Sequence, residues 1–416
     1  LSTSAAIDLL SDPLVIKHPY ALYEAVRENN PVFELPGLGF LVTRYDDVTT
    51  VLRNPDVFSS SAAYGQGFAT TALTINARPP SVDAVLAQGV PEVSVLTQID
   101  GSDHRRQRAL VSQAFSPGRV RQIEDAVRSV GDELVDRFIG RGGVELRSEF
   151  SERLPMTVLS DSLGVPRDDL SQFKRWSDAA HSLIGAVVPE DDYVAVAHEF
   201  LEFQRYFTER IEERRAVPRD DLLSDLLWAR GEDDQTLTLP ELLNIVMQLL
   251  IAGNQTTASA TCSAMYLLLQ DPPLLERLRD DLTLIPSFIE ESLRLESPVQ
   301  GLPRATTVAT ELGGVVLPKG SKVVVMFGAA NRDPRQFPDP DTVDLTRPKL
   351  AAHVSFGHGA HHCLGAALGR SELRIGIELL LSRLQNLRLA PDFEPEYLPS
   401  LMVRGLRELT FEFDPA

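Results

Sequence analysis

The stretch Phe356-Gly-His-Gly-Ala-His-His-Cys-Leu-Gly365 sets one cysteine, Cys363, between a glycine-rich loop and an amphipathic helix expected from about Leu364 to Leu384. A helix N-terminus presents unpaired N–H groups and positive partial charge, which favour a thiolate over a thiol. Gly357, Gly359 and Gly365 would let the backbone come close to a flat cofactor where a side chain would collide. Zinc competes with that reading, because His353, His358, His361 and His362 are half of the eight histidines and all precede Cys363 closely. A buried structural cysteine is a third reading. The loop by itself leaves all three open.

Working outward, the segment before the loop is rich in proline (RDPRQFPDPDTVDLTRP), and before that ELGGVVLPKGSKVVVMF reads as two β-rich runs around a Pro-Lys-Gly turn. Further upstream, Thr238 followed by Pro240 and Glu241 forms a capping start for a helix reaching about Gln270. Such a helix would be about 45 Å long, enough to cross a whole domain. Between Ser102 and Arg230 the apolar spacing is helical in successive pieces, broken at Pro117, Gly142, Pro166, Pro189 and Pro218. From Phe58 to Ile99 the pattern dissolves into Gly, Ala, Ser and Pro, the texture of a lid or of a surface insertion. Phe40 to Thr43 alternates as a strand does, and RYDDVTTVLRNP predicts a helix ending before Pro55. With no internal repeat and no linker, the expectation is one mainly helical domain over residues 1–416 with a small β portion.

The 416 residues carry 59 acidic against 40 basic side chains, a net charge of -19, which argues against nucleic acid or an anionic membrane as the main partner. Cys262 and Cys363 are the only two cysteines, too few for a disulfide framework. Leu1 to Tyr20 shows no basic leader and no long apolar run, since Asp8, Asp12 and Lys17 interrupt it. A cytoplasmic chain without a membrane span is the resulting expectation.

Four segments, in order, decide among the three readings of Cys363, and through them the chain resembles the cytochrome P-450 family. The cysteine loop is similar to that family's haem-ligand loop, which implies Cys363 as the iron ligand with Phe356, Gly357 and Gly365 lining the haem b (iron protoporphyrin IX). EESLRLESP resembles the family's Glu-x-x-Arg, with Glu291 and Arg294 on one helix face. The resemblance implies a buried ion network with Arg347 of DLTRP. HRRQR resembles the propionate-binding helix, with His104 and Arg108 one turn apart, and Arg304 and His361 fall at the other propionate positions. LLIAGNQTTAS resembles the oxygen-activating segment of the long helix, implying roles for Ala252, Gly253, Gln255 and Thr256. The family has an acid where this chain has Gln255.

The implied fold holds a haem between the long central helix and the cysteine-loop helix. The implied activity is insertion of one oxygen atom from O2 into a lipophilic small molecule. Glutamine has no titratable proton, so proton delivery is expected either to be slow or to pass through Thr256, Thr257, Asn254 and water. By position, Leu96, Leu249, Val299, Leu302, Met402 and Val403 are the substrate-pocket candidates. Electrons are expected from a separate ferredoxin and its reductase, docking on Arg105, Arg106 and Arg370. A peroxide-driven peroxygenase is the nearest alternative, and a haem-binding protein without catalysis a more distant one.

Overall fold

The structure, a computed structural model, describes residues 12–35, 39–64, 78–183 and 189–415. Part of the expected lid, residues 65–77, and the first part of the N-terminal segment, residues 1–11, lie outside the described residues. Helices of nine residues or more are α1 Pro19–Asn29, α2 Tyr45–Arg53, α3 Gly101–Ala114, α4 Pro117–Asp136, α5 Arg153–Ser162 and α6 Leu170–Ser182. They continue with α7 Glu190–Ala216, α8 Leu239–Gln270, α9 Pro272–Asp280, α10 Ile285–Leu295 and α11 Ala366–Arg383.

Proline does the punctuating, because it lacks the N–H that an interior helical turn needs and fits the first turn instead. Pro117 opens α4 behind a Ser116 cap, and Pro189 stands immediately before α7. The long helix α8 starts as its capping residues predict. The Thr238 N–H donates to Glu241 Oε2 at 2.8 Å, and the Glu241 N–H donates back to Thr238 Oγ1 at 3.4 Å.

A five-stranded sheet has the order β1-β2-β8-β5-β3, formed by Val32–Leu35, Gly39–Val42, Lys322–Met326, Gly301–Thr306 and Phe58–Ser59. Its β2–β8 pair is parallel and the other pairs are antiparallel. The two β-rich runs expected around Pro-Lys-Gly are three strands in two sheets. Thr310–Leu312 (β6) and Val315–Leu317 (β7) pair with each other, whereas β8 joins the larger sheet. Gly313 and Gly314 cause the split: both have positive φ, +55° and +80°, which makes a two-residue hairpin turn there. A third sheet, of Gly143–Glu145 (β4), Thr410–Pro415 (β10) and Leu384–Leu389 (β9), covers the far end of α11.

Helix α8 threads two apolar cores. Leu242 to Ile251 pack with α6 and α7 around Trp176, Phe203 and Phe207, and Ala260 to Leu269 pack with α4, α10 and α11. No helix among the described residues is long and apolar enough to cross a membrane.

Candidate functional site

Between its two buried halves, α8 opens. Ala252 and Gly253 are exposed and Gln255 and Thr256 half-buried, although they lie mid-way along a helix whose flanking turns are in the core. A Cβ on Gly253 would find only Leu159 Cδ2, at 4.0 Å. Thr256 Oγ1 donates to the Ala252 carbonyl at 2.6 Å, so its proton caps that turn while its oxygen lone pairs stay available. Asn254 Nδ2 donates to Ser177 Oγ of α6 at 3.3 Å, and Thr257 Oγ1 donates to Glu372 Oε2 of α11 at 3.4 Å.

The cysteine loop ends in a short turn, Gly359–His361, and α11 begins at Ala366, two residues later than expected. Cys363 therefore lies outside the helix. Its N–H donates to the Phe356 carbonyl at 2.8 Å, and the Gly357 N–H to the Val354 carbonyl at 2.8 Å, which closes the loop on itself. Cys363 is exposed at the surface of the loop, and desolvation by the protein around it pushes its thiol up. The Gly365 N–H and the Arg108 and Arg370 guanidinium groups pull the other way without prevailing.

The glycines of the loop divide their work. Gly359, with φ +70°, sits so near α2 that a Cβ would lie 2.5 Å from the Leu52 carbonyl oxygen, so backbone packing rather than a cofactor demands it. Gly359→Ala is expected to cost at least about 1–2 kcal/mol from the left-handed backbone alone, with the clash in addition. Urea unfolding of the variant measures this, and an unchanged midpoint would contradict it. Gly365, by contrast, has open space where a Cβ would be.

Two of the loop histidines turn to carboxylates, and among the described residues no three His, Cys, Asp or Glu side chains gather as a metal site. His353 Nε2 lies 3.1 Å from Glu290 Oε2, and His361 Nε2 lies 3.0 Å from Asp100 Oδ1. Burial, assisted by His361 and Arg108, pushes the His104 imidazole down to about 4, and its ring stands 4.2 Å from that of His361. Burial would raise the Asp100 carboxyl, but bonds from His361, Ser59 and the Ser61 N–H hold it at about 2.

Two cations complete this rim. Arg304, on β5, is buried beside Tyr64 and donates to its own strand at the Pro303 carbonyl, 2.7 Å away. Arg108 donates to the His362 carbonyl at 2.7 Å and faces Cys363. Neither has an ion-pair partner within 4.0 Å among the described residues. A buried guanidinium without a carboxylate is costly unless an anion arrives. Arg304, Asp100, His361, His104, Arg108 and Cys363 are linked neighbour to neighbour. With an accessible sulfur at one end and two unpaired cations along it, the rim fits a flat dianion such as haem.

Glu291 and Arg294 are fully buried and bidentate, Nε to Oε1 at 2.7 Å and Nη2 to Oε2 at 2.9 Å, and Arg347 Nε reaches Glu291 Oε1 at 3.2 Å. Arg294 also donates to the carbonyls of Asn331, Pro340 and Thr342. Asn331 in turn accepts the Val354 N–H at 2.7 Å, so the network braces the chain that enters the cysteine loop.

A second carboxylate, Glu290, accepts from Arg370 Nε at 2.6 Å and pairs with His353, while the Arg370 guanidinium stacks 4.3 Å from the Phe356 ring. Burial would raise Glu290, but Arg370 and His353 hold it at about 2. Its folded pKa is depressed, so its stabilisation is complete above the ordinary carboxylate range and is lost as pH falls through about 2. Thermal melting between pH 5 and 2 should therefore fall less steeply for Glu290→Gln than for the native chain; parallel curves would contradict this.

The six pocket candidates do not form one cluster. Leu96 is buried in the core of α6 to α8, with φ +39° and its N–H donating to Gln107 Oε1 at 3.0 Å, and Leu249 packs on the same core. Val299 and Leu302 pack on the sheet core, with Val299 bridged to Val403. Met402 packs with Tyr23 and Leu35. The docking triad is also weaker than its charges suggest. Arg106 is paired with Glu241 and Arg370 with Glu290, which leaves Arg105 as the one exposed arginine of the three without an ion pair among the described residues. Asp100, Glu290, Tyr64 and Glu372 were not legible as site residues in the sequence. Asp100, four residues before His104, was within reach of local reasoning; the others meet the site only through tertiary packing.

Comparison with known proteins agrees with this geometry. The sequence pattern of the family described as Cytochrome P-450 matches residues 190–403. Cytochrome P-450 107B1 of Saccharopolyspora erythraea is 37% identical over 98% of this chain and 98% of its own. Mycinamicin IV hydroxylase/epoxidase of Micromonospora griseorubida is 35% identical over 93% of this chain and 94% of its own. The crystal structure of CYP109E1 from Bacillus megaterium in complex with testosterone superposes with a TM-score of 0.81 at 32% identity, covering 95% of this chain and 99% of that one. The chain belongs to the cytochrome P-450 family. It is a haem-dependent monooxygenase of the bacterial type, mainly helical with small sheets, as its sequence motifs implied.

Proposed function

We propose that Cys363 would hold the iron of a haem b through its sulfur, that Arg108, Arg304, His104 and His361 would bind its propionates, and that Phe356, Gly357 and Gly365 would line its binding site. The carrying observation is the pair of guanidinium groups that have no carboxylate partner among the described residues, beside an accessible sulfur. When bound, a thiolate-ligated haem supplies the electron push that favours O–O cleavage. The protein's part is to exclude bulk water, orient the substrate and manage protons at the open turn of α8. There Ala252 and Gly253 leave room, and Thr256 offers an oxygen lone pair while its own proton is held by the Ala252 carbonyl.

The substrate is a lipophilic small molecule of macrolide or steroid size. Support comes from the partly accessible apolar side chains Leu249, Val299, Leu302, Met402 and Val403, and from relatives named for mycinamicin IV and solved with testosterone. Electrons come from a ferredoxin and its reductase in the cytoplasm, with Arg105 as the principal docking charge. The reduced carbon monoxide spectrum tests the ligand, and turnover with reduced ferredoxin and O2 against turnover with hydrogen peroxide tests the electron source. A histidine-type spectrum would overturn the first assignment, and activity with peroxide alone the second.

A further inference from the structure

Met402 to Arg404 run antiparallel to Pro298 to Gln300. The Gln300 N–H donates to the Met402 carbonyl and the Arg404 N–H to the Pro298 carbonyl, both at 2.8 Å, with Val299 bridged to Val403 between them. A ladder this short is marginal without support from elsewhere. Beside it lies a small cavity lined by Ile16, Tyr23, Gln300, Leu398 and Leu401, so apolar packing does not fill the space on that side. The Arg404 side chain, which also borders the cavity, supplies a long-range hold.

Arg404 is buried and uses all three guanidinium nitrogens. Nε donates to Glu296 Oε2 at 2.5 Å, Nη1 to the Ile16 carbonyl at 3.1 Å and Nη2 to the Lys17 carbonyl at 3.3 Å. The last two partners end the short helix Pro13–Lys17, whose final carbonyls have no partner within the helix. The guanidinium also lies 3.9 Å from the Tyr397 ring and 5.1 Å from the Tyr20 ring. Tyr20 donates its O–H to the Leu295 carbonyl at 2.8 Å, and Arg332 stacks 3.5 Å from its ring while donating to Glu296 Oε1. One cluster thus joins the N-terminal segment, the end of α10 and the turn that carries Met402 and Val403. A lysine would keep the charge for Glu296 but lacks the planar fork that reaches three acceptors at once.

We propose that Arg404 is a positioning residue for substrate, holding the Val299 and Val403 turn in its binding shape and coupling it to the segment Pro13–Tyr20. This rests on reading Val299, Leu302, Met402 and Val403 as a wall of the substrate pocket. A turn already held in place does not have to be ordered when substrate arrives, so affinity is gained without a new contact. Coupling is reciprocal: what orders the turn also orders the N-terminal segment.

The test uses the haem-loaded full chain, Arg404→Lys, and two azoles, imidazole and a phenyl-substituted imidazole. Both reach the iron through nitrogen, and only the second fills apolar space, so the native chain should bind it at least about tenfold more tightly. In Arg404→Lys its affinity should fall at least about fivefold, with imidazole affinity and the reduced carbon monoxide spectrum unchanged. Amide exchange gives the second readout, because the Gln300 N–H bonds the turn and the His18 N–H bonds the Leu14 carbonyl in the N-terminal segment. Binding of the phenyl-substituted azole should slow both amides in the native chain and only Gln300 in the variant. Equal weakening of both azoles marks a general defect of the haem site and overturns the proposal, as does an unchanged preference or slowing at His18 that survives the substitution. If Arg404→Lys does not load haem, Tyr397→Leu, which removes a stacking partner of Arg404 and no charge, decides by the same ratio. A native chain that binds the two azoles alike would refute the pocket wall itself, an outcome distinct from the failure of Arg404.

Discussion

Cys363→Ser is expected to lower monooxygenase turnover by at least about a thousandfold, or ~4 kcal/mol in the barrier, and to remove the thiolate signature from the reduced carbon monoxide spectrum. The effect is large because a hydroxyl at this position cannot give the iron the electron density of a thiolate. The fold should survive. The Cys363 side chain is exposed, and the loop is closed by backbone bonds from Cys363 to Phe356 and from Gly357 to Val354, none of which uses the sulfur. Far-ultraviolet dichroism and urea midpoints of the cofactor-free proteins should therefore coincide. Cys363→His separates ligand identity from ligand presence: haem is expected to stay bound while the reduced carbon monoxide band moves to the histidine type. Retention of the native band by either variant would remove Cys363 as the ligand.

Glu291→Ala is expected to destabilise the fold by about 3–5 kcal/mol, because it leaves charged groups buried without their partner. Glu291 is the only carboxylate paired with Arg294 and Arg347 among the described residues, and both arginines are buried. A loss of that size is a large part of the roughly 5–15 kcal/mol by which folded proteins are stable. Glu291→Gln keeps two hydrogen-bonding atoms and loses the charge, so it should lie between the alanine variant and the native chain. Haem occupancy should fall with stability, because Arg294 also holds the carbonyls of Asn331, Pro340 and Thr342 ahead of the cysteine loop. Urea unfolding and the ratio of haem to protein absorbance measure the two effects. A change below about 1 kcal/mol would mean that the pair is no more than a solvated helical contact.

Local patterns are readable where the responsible interactions are local. The start of α8 follows from Thr238, Pro240 and Glu241, whose bonds span three residues, and the end of α2 from the approach to Pro55. The β6–β7 hairpin escapes a reading of Gly313-Gly314 as part of a continuous β run, although a glycine pair is itself a turn signal. The pairing of Glu291 with Arg294 is legible in their spacing, whereas their burial is not: the same i,i+3 pair on a surface would look identical in sequence.

The sequence by itself singled out Cys363 as the candidate haem ligand, because residue type, loop glycines and the order of four motifs are properties of the chain alone. It also determined that Gln255 brings no titratable proton to the turn of α8. Tertiary structure decided what surrounds these residues. Desolvation pushes the Cys363 thiol up against the pull of the Gly365 N–H, Arg108 and Arg370, while His361 of its loop meets Asp100 and His353 meets Glu290. It also sets Glu372, on the same helix that follows Cys363, against Thr257 of α8. The physical reason is that solvation and charge pairing depend on which distant segments pack together, and no spacing along the chain encodes the dielectric a side chain will meet.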